Sequence, residues 1–283
     1  MNPEIINPEI KEPNPLAKQF IAKALEIGEV LKQRQREGLA IEHKNEDEFD
    51  PVTNADKEAD VMWREFIQAN FPDDLVLSEE SDDIPTNYGE KRVWMIDPLD
   101  STKAYIKGED GYSVLVGMMQ GNEILFGLAY APARNQLFYA EKGQGAFQRQ
   151  EDGTFKQIHV SEVADLAEAK VIVRDAGAKD KRPLDEGLES LPFKDFIRDS
   201  CMRVGRVADG EAEAQVNTNF RASKWDTLGP QLIVEEAGGV MSDIDGNPLN
   251  YHQEGLRWER SFMSANNPEI QKKIVAEISR AKL

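Results

Sequence analysis

Six acidic residues, Asp56, Glu79, Glu80, Asp97, Asp100 and Asp226, stand at the edges of apolar segments. The pair Asp97 and Asp100 lies in the run Trp94-Met95-Ile96-Asp97-Pro98-Leu99-Asp100-Ser101-Thr102-Lys103. Its apolar lead reads as the buried end of a strand. Pro98 is expected to end that strand, because its ring fixes φ and removes a backbone donor. The segment then turns toward a helix start. Two like charges after a buried strand repel each other at high cost, and a cation relieves that repulsion. Carboxylate oxygens and a backbone carbonyl suit Mg²⁺, and the N–H groups of a helix start suit a phosphate. Taken singly, Asp56 and Asp226 also read as helix caps or dipole partners.

The elements that must position these residues follow from periodicity. A helix is expected over about Leu16 to Gln35, where Leu16, Phe20, Ile21, Leu25, Ile27 and Leu31 form a stripe. Glu42 to Asp50 is charged and reads as a loop or short exposed strand. Thr53-Asn54-Ala55-Asp56 carries a capping signal, an acid three residues after a threonine. A helix follows to about Phe71, with Ala59, Met62, Phe66 and Ile67 inward. Leu75 to Leu77 is a short strand that delivers Glu79, and Val93 to Ile96 delivers Asp97. Tyr112 to Met119, Ile124 to Ala131 and Gln136 to Glu141 read as an antiparallel meander, split by turn residues. Gly143 to Gly153 reads as loop, and a domain boundary is placed near it. The chain thus divides into a tail over 1–14, an N-terminal half over 15–150 and a C-terminal half over 151–283 that carries Asp226. In that second half, Val171 to Arg174, Asp195 to Ile197, Ala214 to Val216 and Val240 to Asp243 read as strands. Cys201 to Asp209, Asp226 to Glu236 and Pro268 to Ala281 read as helices, the second stopped by Gly238-Gly239. This mixture points to mixed α/β layers.

Composition narrows the partners. With 283 residues and 40% hydrophobic content, the chain can build one large or two ordinary domains. A net charge of −18 argues against a nucleic-acid polymer, whose phosphates need lysine and arginine clusters. It leaves room for a small phosphorylated substrate met by metal ions. The single Cys201 allows no intrachain disulfide and suits a reducing compartment. No apolar run reaches transmembrane length, and Met1 to Pro15 lacks a hydrophobic signal core. A cytoplasmic protein is expected. The N-terminal stretch repeats Asn-Pro-Glu-Ile and reads as a poorly ordered tail, or else as a contact arm of a homodimer. No Gly-x-x-x-x-Gly-Lys loop exists, so a P-loop hydrolase is excluded. His43, His159 and His252 lack zinc spacing. Cys201, Trp63, Trp94 and Trp258 read as core residues.

Asp97-Pro98-Leu99-Asp100-Ser101-Thr102, preceded by Glu79-Glu80-Ser81 and followed by Trp225-Asp226, resembles the signature set of the inositol monophosphatase superfamily. Its members are Mg²⁺-dependent, typically lithium-sensitive phosphomonoesterases with a layered α-β-α-β-α sandwich. Lys103, the strand from Ser113 to Gly117, and Lys224-Trp225-Asp226-Thr227 with Pro230 look most like the 3'(2'),5'-bisphosphate nucleotidases. Those convert adenosine 3',5'-bisphosphate to AMP. The resemblance implies two or three Mg²⁺ ions. One would sit on Glu79, Asp97 and the Leu99 carbonyl, and a second on Asp97, Asp100 and Asp226. Glu79 with waters would hold a weaker third. It implies that Thr102 orients the attacking water, with Asp56 or Glu79 as the polarising carboxylate. The N–H groups of Ser101 and Thr102 would hold phosphate oxygens, and Ser200 and Arg203 would lie near the substrate. For Arg203 a surface salt bridge is the alternative.

The chain departs from the family in two places. Serine stands at 101 where the family has glycine, which costs strain if φ is positive there. Val216 to Phe220 lacks the glutamate that contacts sugar hydroxyls in inositol-specific members. An inositol or sugar phosphatase is the alternative within this class. A non-catalytic metal-binding scaffold is the alternative outside it.

Overall fold

The computed structural model describes residues 12–43, 51–81, 88–174, 194–197, 202–217 and 222–281. Two larger sheets organise them. The first joins strands β3 (Leu75–Ser78), β4 (Arg92–Asp100), β5 (Ser113–Gln120), β6 (Glu123–Ala131), β7 (Gln136–Glu141), β8 (Gly145–Arg149) and β9 (Phe155–Ile158) in that order. The pair β3 and β4 is parallel, and the rest are antiparallel. The expected meander is therefore present, and it continues further than expected. Gly143 to Gly153, read as loop, contains β8 and the turn into β9. Glycine content concealed the strand there, because its three buried residues, Gly145, Ala146 and Phe147, are consecutive rather than alternating.

The second sheet has the order β11 (Lys194–Ile197), β10 (Val171–Arg174), β12 (Ala214–Asn217), β14 (Phe262–Ala265) and β13 (Val240–Asp243). A short ladder, β1 (Ile41–His43) with β2 (Pro51–Thr53), stands apart from both sheets.

Three apolar cores join five layers. Helices α1 (Pro15–Glu37) and α2 (Asn54–Asn70) cover one face of the first sheet. There Phe20 stacks on Trp94 at 4.2 Å between ring centres, with Trp63 and Phe126 around them. Successive strand residues point to opposite faces, so Met95, Leu115 and Phe138 enter the second core. That core includes Met202, Val204 and Ala208 of α4 (Met202–Ala208) and Leu228, Leu232 and Ile233 of α5 (Lys224–Glu236). The third core packs Val171, Val216 and Met263 of the second sheet on Ile270, Ile274 and Ile278 of α6 (Pro268–Ala281). The result is the expected α-β-α-β-α sandwich. Among the described residues no helix is long and apolar enough to cross a membrane.

Two local features set the position of the acids. Pro98 does not end β4. The strand runs on to Asp100, with a register shift between Asp97 and Asp100 against β5. A proline fits at such a bulge, where a ladder hydrogen bond is already missing. Beyond Ile96, β4 no longer faces β3, whose last pair is Ser78 with Ile96. The second feature is a three-glycine contact that seats α5 on the sheet. A Cβ at Gly117 would lie 2.6 Å from the Gly229 backbone nitrogen, and one at Gly127 would lie 2.3 Å from the Gly229 carbonyl oxygen. Only backbone against backbone fits there. Gly127→Ala should therefore cost about 1–3 kcal/mol, the usual range for overpacking. The measurement is the urea midpoint, and a midpoint equal to wild type would contradict this seating.

Candidate active site

The acids converge because the ends of β3 and β4 meet the starts of α2 and α5. Asp97 and Asp100 bracket the β4 bulge. Glu79 follows β3, and its N–H donates to the Ile96 carbonyl at 3.2 Å, which draws it beside Asp97. Asp56 and Asp226 each occupy the third position of a helix and use one carboxylate oxygen as a cap. The Asp56 Oδ2 accepts the Thr53 N–H at 2.8 Å and the Thr53 hydroxyl at 2.5 Å. The Asp226 Oδ2 accepts the Ser223 N–H at 2.7 Å. Capping and site duty are therefore not rival readings. The cap fixes one oxygen and aims the other. The Asp56 Oδ1 accepts from the Thr102 hydroxyl at 3.1 Å, and that hydroxyl also lies 3.1 Å from the Leu99 carbonyl oxygen.

The remaining carboxylates are held from behind. The Asp97 Oδ1 accepts the Leu99 N–H at 3.0 Å. The Asp100 Oδ2 accepts from the Ser113 hydroxyl at 3.1 Å, and its Oδ1 from the Ser101 hydroxyl at 3.3 Å. Ser101 has φ 70° and ψ 45°, the left-handed region. The strain expected of serine there is real, at about 1–2 kcal/mol. Its hydroxyl turns to a neighbouring carboxylate.

Burial and mutual repulsion dominate the electrostatics. Burial, together with the charges of Glu79, Asp100 and Asp226, drives the Asp97 carboxyl well above the usual carboxylate range. Burial and the charges of Asp100 and Glu79 do the same to Asp226. Asp56 is pushed up to about 6, first by burial, although its bonds to Thr53 and Thr102 pull the other way. Five like charges gathered at one strand end call for a cation. Among the described residues no three acidic, cysteine or histidine side chains close on one point as a cage. An open set of oxygens suits Mg²⁺, which keeps several waters and takes one or two carboxylates plus substrate oxygens.

Of the residues expected at the site, Asp56, Glu79, Asp97, Leu99, Asp100, Ser101, Thr102 and Asp226 come together. Ser200 lies outside the described residues, as do Cys201 and Thr218 to Phe220. Arg203 is only 2% exposed, within α4, so it is not a surface residue. His159 and His252 are exposed, and the side chain of His43 is outside the description. Sequence reasoning missed Ser223 as a cap, although Ser223-x-x-Asp226 repeats the pattern of Thr53-x-x-Asp56.

Comparison with known proteins agrees with this fold. A family model described as "Inositol monophosphatase family" matches residues 12–283. A histidinol-phosphatase of Chlorobaculum parvum is 33% identical over 235 residues, which span 82% of this chain and 84% of that protein. A 3'(2'),5'-bisphosphate nucleotidase of Haemophilus influenzae is 28% identical over 84% of this chain and 88% of that protein. The solved structure of a Thermotoga maritima IMPase superposes with a TM-score of 0.78 at 25% identity, covering 94% of this chain and 98% of that one. The chain belongs to the inositol monophosphatase family and is a phosphatase.

The raised carboxyls fix a pH dependence. A carboxyl with its folded pKa above its unfolded value binds more protons when folded, so stability falls as pH rises between the two. Asp56 places this window between about 4 and about 6, and Asp97 and Asp226 extend it upward. Without divalent cations, Asp97→Asn should raise Tm by several degrees at pH 7.5, since one kcal/mol is about 2–4 °C for a chain of this size. It should also flatten the fall in Tm between pH 5.5 and 7.5. A lower Tm than wild type, with the pH slope intact, would show that no such repulsion exists.

Proposed function

We propose that this chain is an Mg²⁺-dependent phosphomonoesterase that removes the 3'-phosphate of adenosine 3',5'-bisphosphate, leaving AMP. The observation that carries the hydrolytic part is the pairing of Thr102 with Asp56 beside the repelling Asp97 and Asp226. Glu79, Asp97 and the Leu99 carbonyl would hold one Mg²⁺, and Asp97, Asp100 and Asp226 a second, with a third weakly on Glu79. Bound there, Mg²⁺ supplies positive charge for the phosphate oxygens and lowers the pKa of a coordinated water. The protein does the rest. The Thr102 hydroxyl points its hydrogen toward Asp56 and Leu99, so its lone pairs are left to accept a hydrogen bond from the attacking water. Asp56, with a carboxyl pushed up to about 6, is mostly ionised at neutral pH and still a fair base. The leading N–H groups around Ser101 and Thr102 have no acceptor within the short helix α3 (Thr102–Ile106) and suit phosphate oxygens.

The substrate choice rests on sequence likeness to the nucleotidases, in the run from Lys224 to Thr227 and along the chain, and on the acid-free stretch Val216 to Phe220; it implies no contact of Lys224 with substrate. Arg203 and Ser200 belong to the substrate side in this reading. The protein works in the cytoplasm and is inhibited by lithium. A second reading, histidinol phosphate as substrate, is favoured by the 33% identity to the histidinol-phosphatase.

Two experiments check this function. Adenosine 3',5'-bisphosphate, histidinol phosphate and inositol 1-phosphate should be compared by kcat/KM with Mg²⁺ present. The nucleotide should lead by tenfold or more, and a lead for either rival would replace the substrate assignment. Thr102→Ala should lower kcat by about 10²–10⁴ and leave the Mg²⁺ concentration for half-maximal activity unchanged. Near-normal kcat in a folded Thr102→Ala protein would remove Thr102 from the water-orienting role.

A further inference from the structure

Lys224 is buried at 3% exposure, two residues before Asp226, and the hydrolytic step gives it no part. A lysine in that place needs a reason, because taking an ammonium out of water costs several kcal/mol unless it is well paired. Its Nζ donates to the Gln253 carbonyl at 2.7 Å and lies 3.5 Å from the Tyr88 hydroxyl oxygen. It also stands 5.8 Å from the centre of the Tyr88 ring. Burial lowers its pKa.

Its partners belong to a strap over residues 250–258 that clamps the start of α5. The Lys224 N–H donates to the Leu256 carbonyl at 2.9 Å, and the Trp258 N–H to the Ala222 carbonyl at 2.8 Å. Thr227, on the same first turn, accepts from the Trp258 indole and from the Tyr251 hydroxyl, each at 3.1 Å. The strap is tied to the first sheet as well. The Tyr88 hydroxyl donates to the Tyr251 carbonyl, and His252 Nε2 lies 2.8 Å from the Gly121 carbonyl oxygen.

This lock opposes a specific force. Asp226 sits in the field of Asp100 and Glu79, and its own charge acts on Asp97, so without a cation the first turn of α5 is pushed away from the end of β4. Backbone bonds alone would let that turn yield. Lys224 joins the turn, the strap and Tyr88 through one side chain.

We propose that Lys224 is a positioning residue that, through the strap over 250–258 and Tyr88, holds Asp226 in register with Asp97 for cation binding. The inference rests on the Mg²⁺-phosphatase reading. If the turn relaxes, cation affinity falls, while the chemistry of a loaded site stays the same. Lys224 itself touches neither substrate nor reacting atoms.

The test titrates Mg²⁺ against the full chain with two readouts, the rise in Tm and the phosphatase activity. Lys224→Met should raise the Mg²⁺ midpoint about tenfold in both, with kcat and KM at saturating Mg²⁺ within about twofold of wild type. Lys224→Arg, which keeps the charge and reach, should recover most of the loss. Tyr88→Phe removes the hydroxyl near Nζ and the tie to Tyr251, and should shift the midpoint about threefold in the same direction. An unchanged midpoint in folded Lys224→Met overturns the inference, as does a fall in kcat at saturating Mg²⁺ with the midpoint unchanged. If Lys224→Met does not fold, a wild-type midpoint in Tyr88→Phe overturns it. A wild-type protein whose Tm and activity ignore Mg²⁺ overturns the metal reading itself, and the inference falls with it.

Discussion

The repulsion between Asp97 and its acidic neighbours is the constraint around which the rest of this structure is arranged. A buried carboxylate is expensive alone, and Asp97 feels Glu79, Asp100 and Asp226 at once. A fold selected only for stability would place apolar residues at this strand end. Instead, three cores, a three-glycine contact and two helix caps hold the acids in place against their own field. A dense framework is needed because softer packing would let the charges drift apart. The cluster is therefore best read as a loaded arrangement that a divalent cation releases.

The same logic explains the helix caps. Asp56 and Asp226 come from helices in different layers, α2 outside the first sheet and α5 between the sheets. Each cap satisfies an orphan N–H and fixes a rotamer. A carboxylate fixed in this way loses little further entropy when it meets a cation or a hydroxyl. In Asp56 the result is a carboxylate held against the Thr102 hydroxyl.

Much of the site was legible in the sequence, because its residues stand beside apolar runs whose ends are easy to find. Thr53-x-x-Asp56 and Asp97-Pro98-Leu99-Asp100 could be placed from local chemistry, while the joint role of Asp226 came from resemblance. What stayed hidden was non-local. The contact of Gly117 and Gly127 with Gly229 joins segments over 100 residues apart, and nothing in the pattern around any of these glycines announces the others. Pro98 misled for a related reason. A proline in a central strand is forbidden only where a neighbour needs its N–H, and β3 stops before that point. The β8–β9 hairpin was lost because its glycines and polar residues hide the strands. The clamp on Lys224 depends on carbonyls, which no side-chain pattern reveals.

The central claim is that burial and mutual repulsion hold the carboxyls of Asp97 and Asp226 raised, and that a divalent cation relieves this repulsion. Calorimetric titration of Mg²⁺ into the full chain, repeated near pH 7 in two buffers of different ionisation enthalpy, counts protons released on binding. The account predicts net proton release on Mg²⁺ binding in wild type, since cation binding requires deprotonated ligands, and a smaller release in Asp97→Asn. Tight Mg²⁺ binding by wild type with no proton released would contradict it.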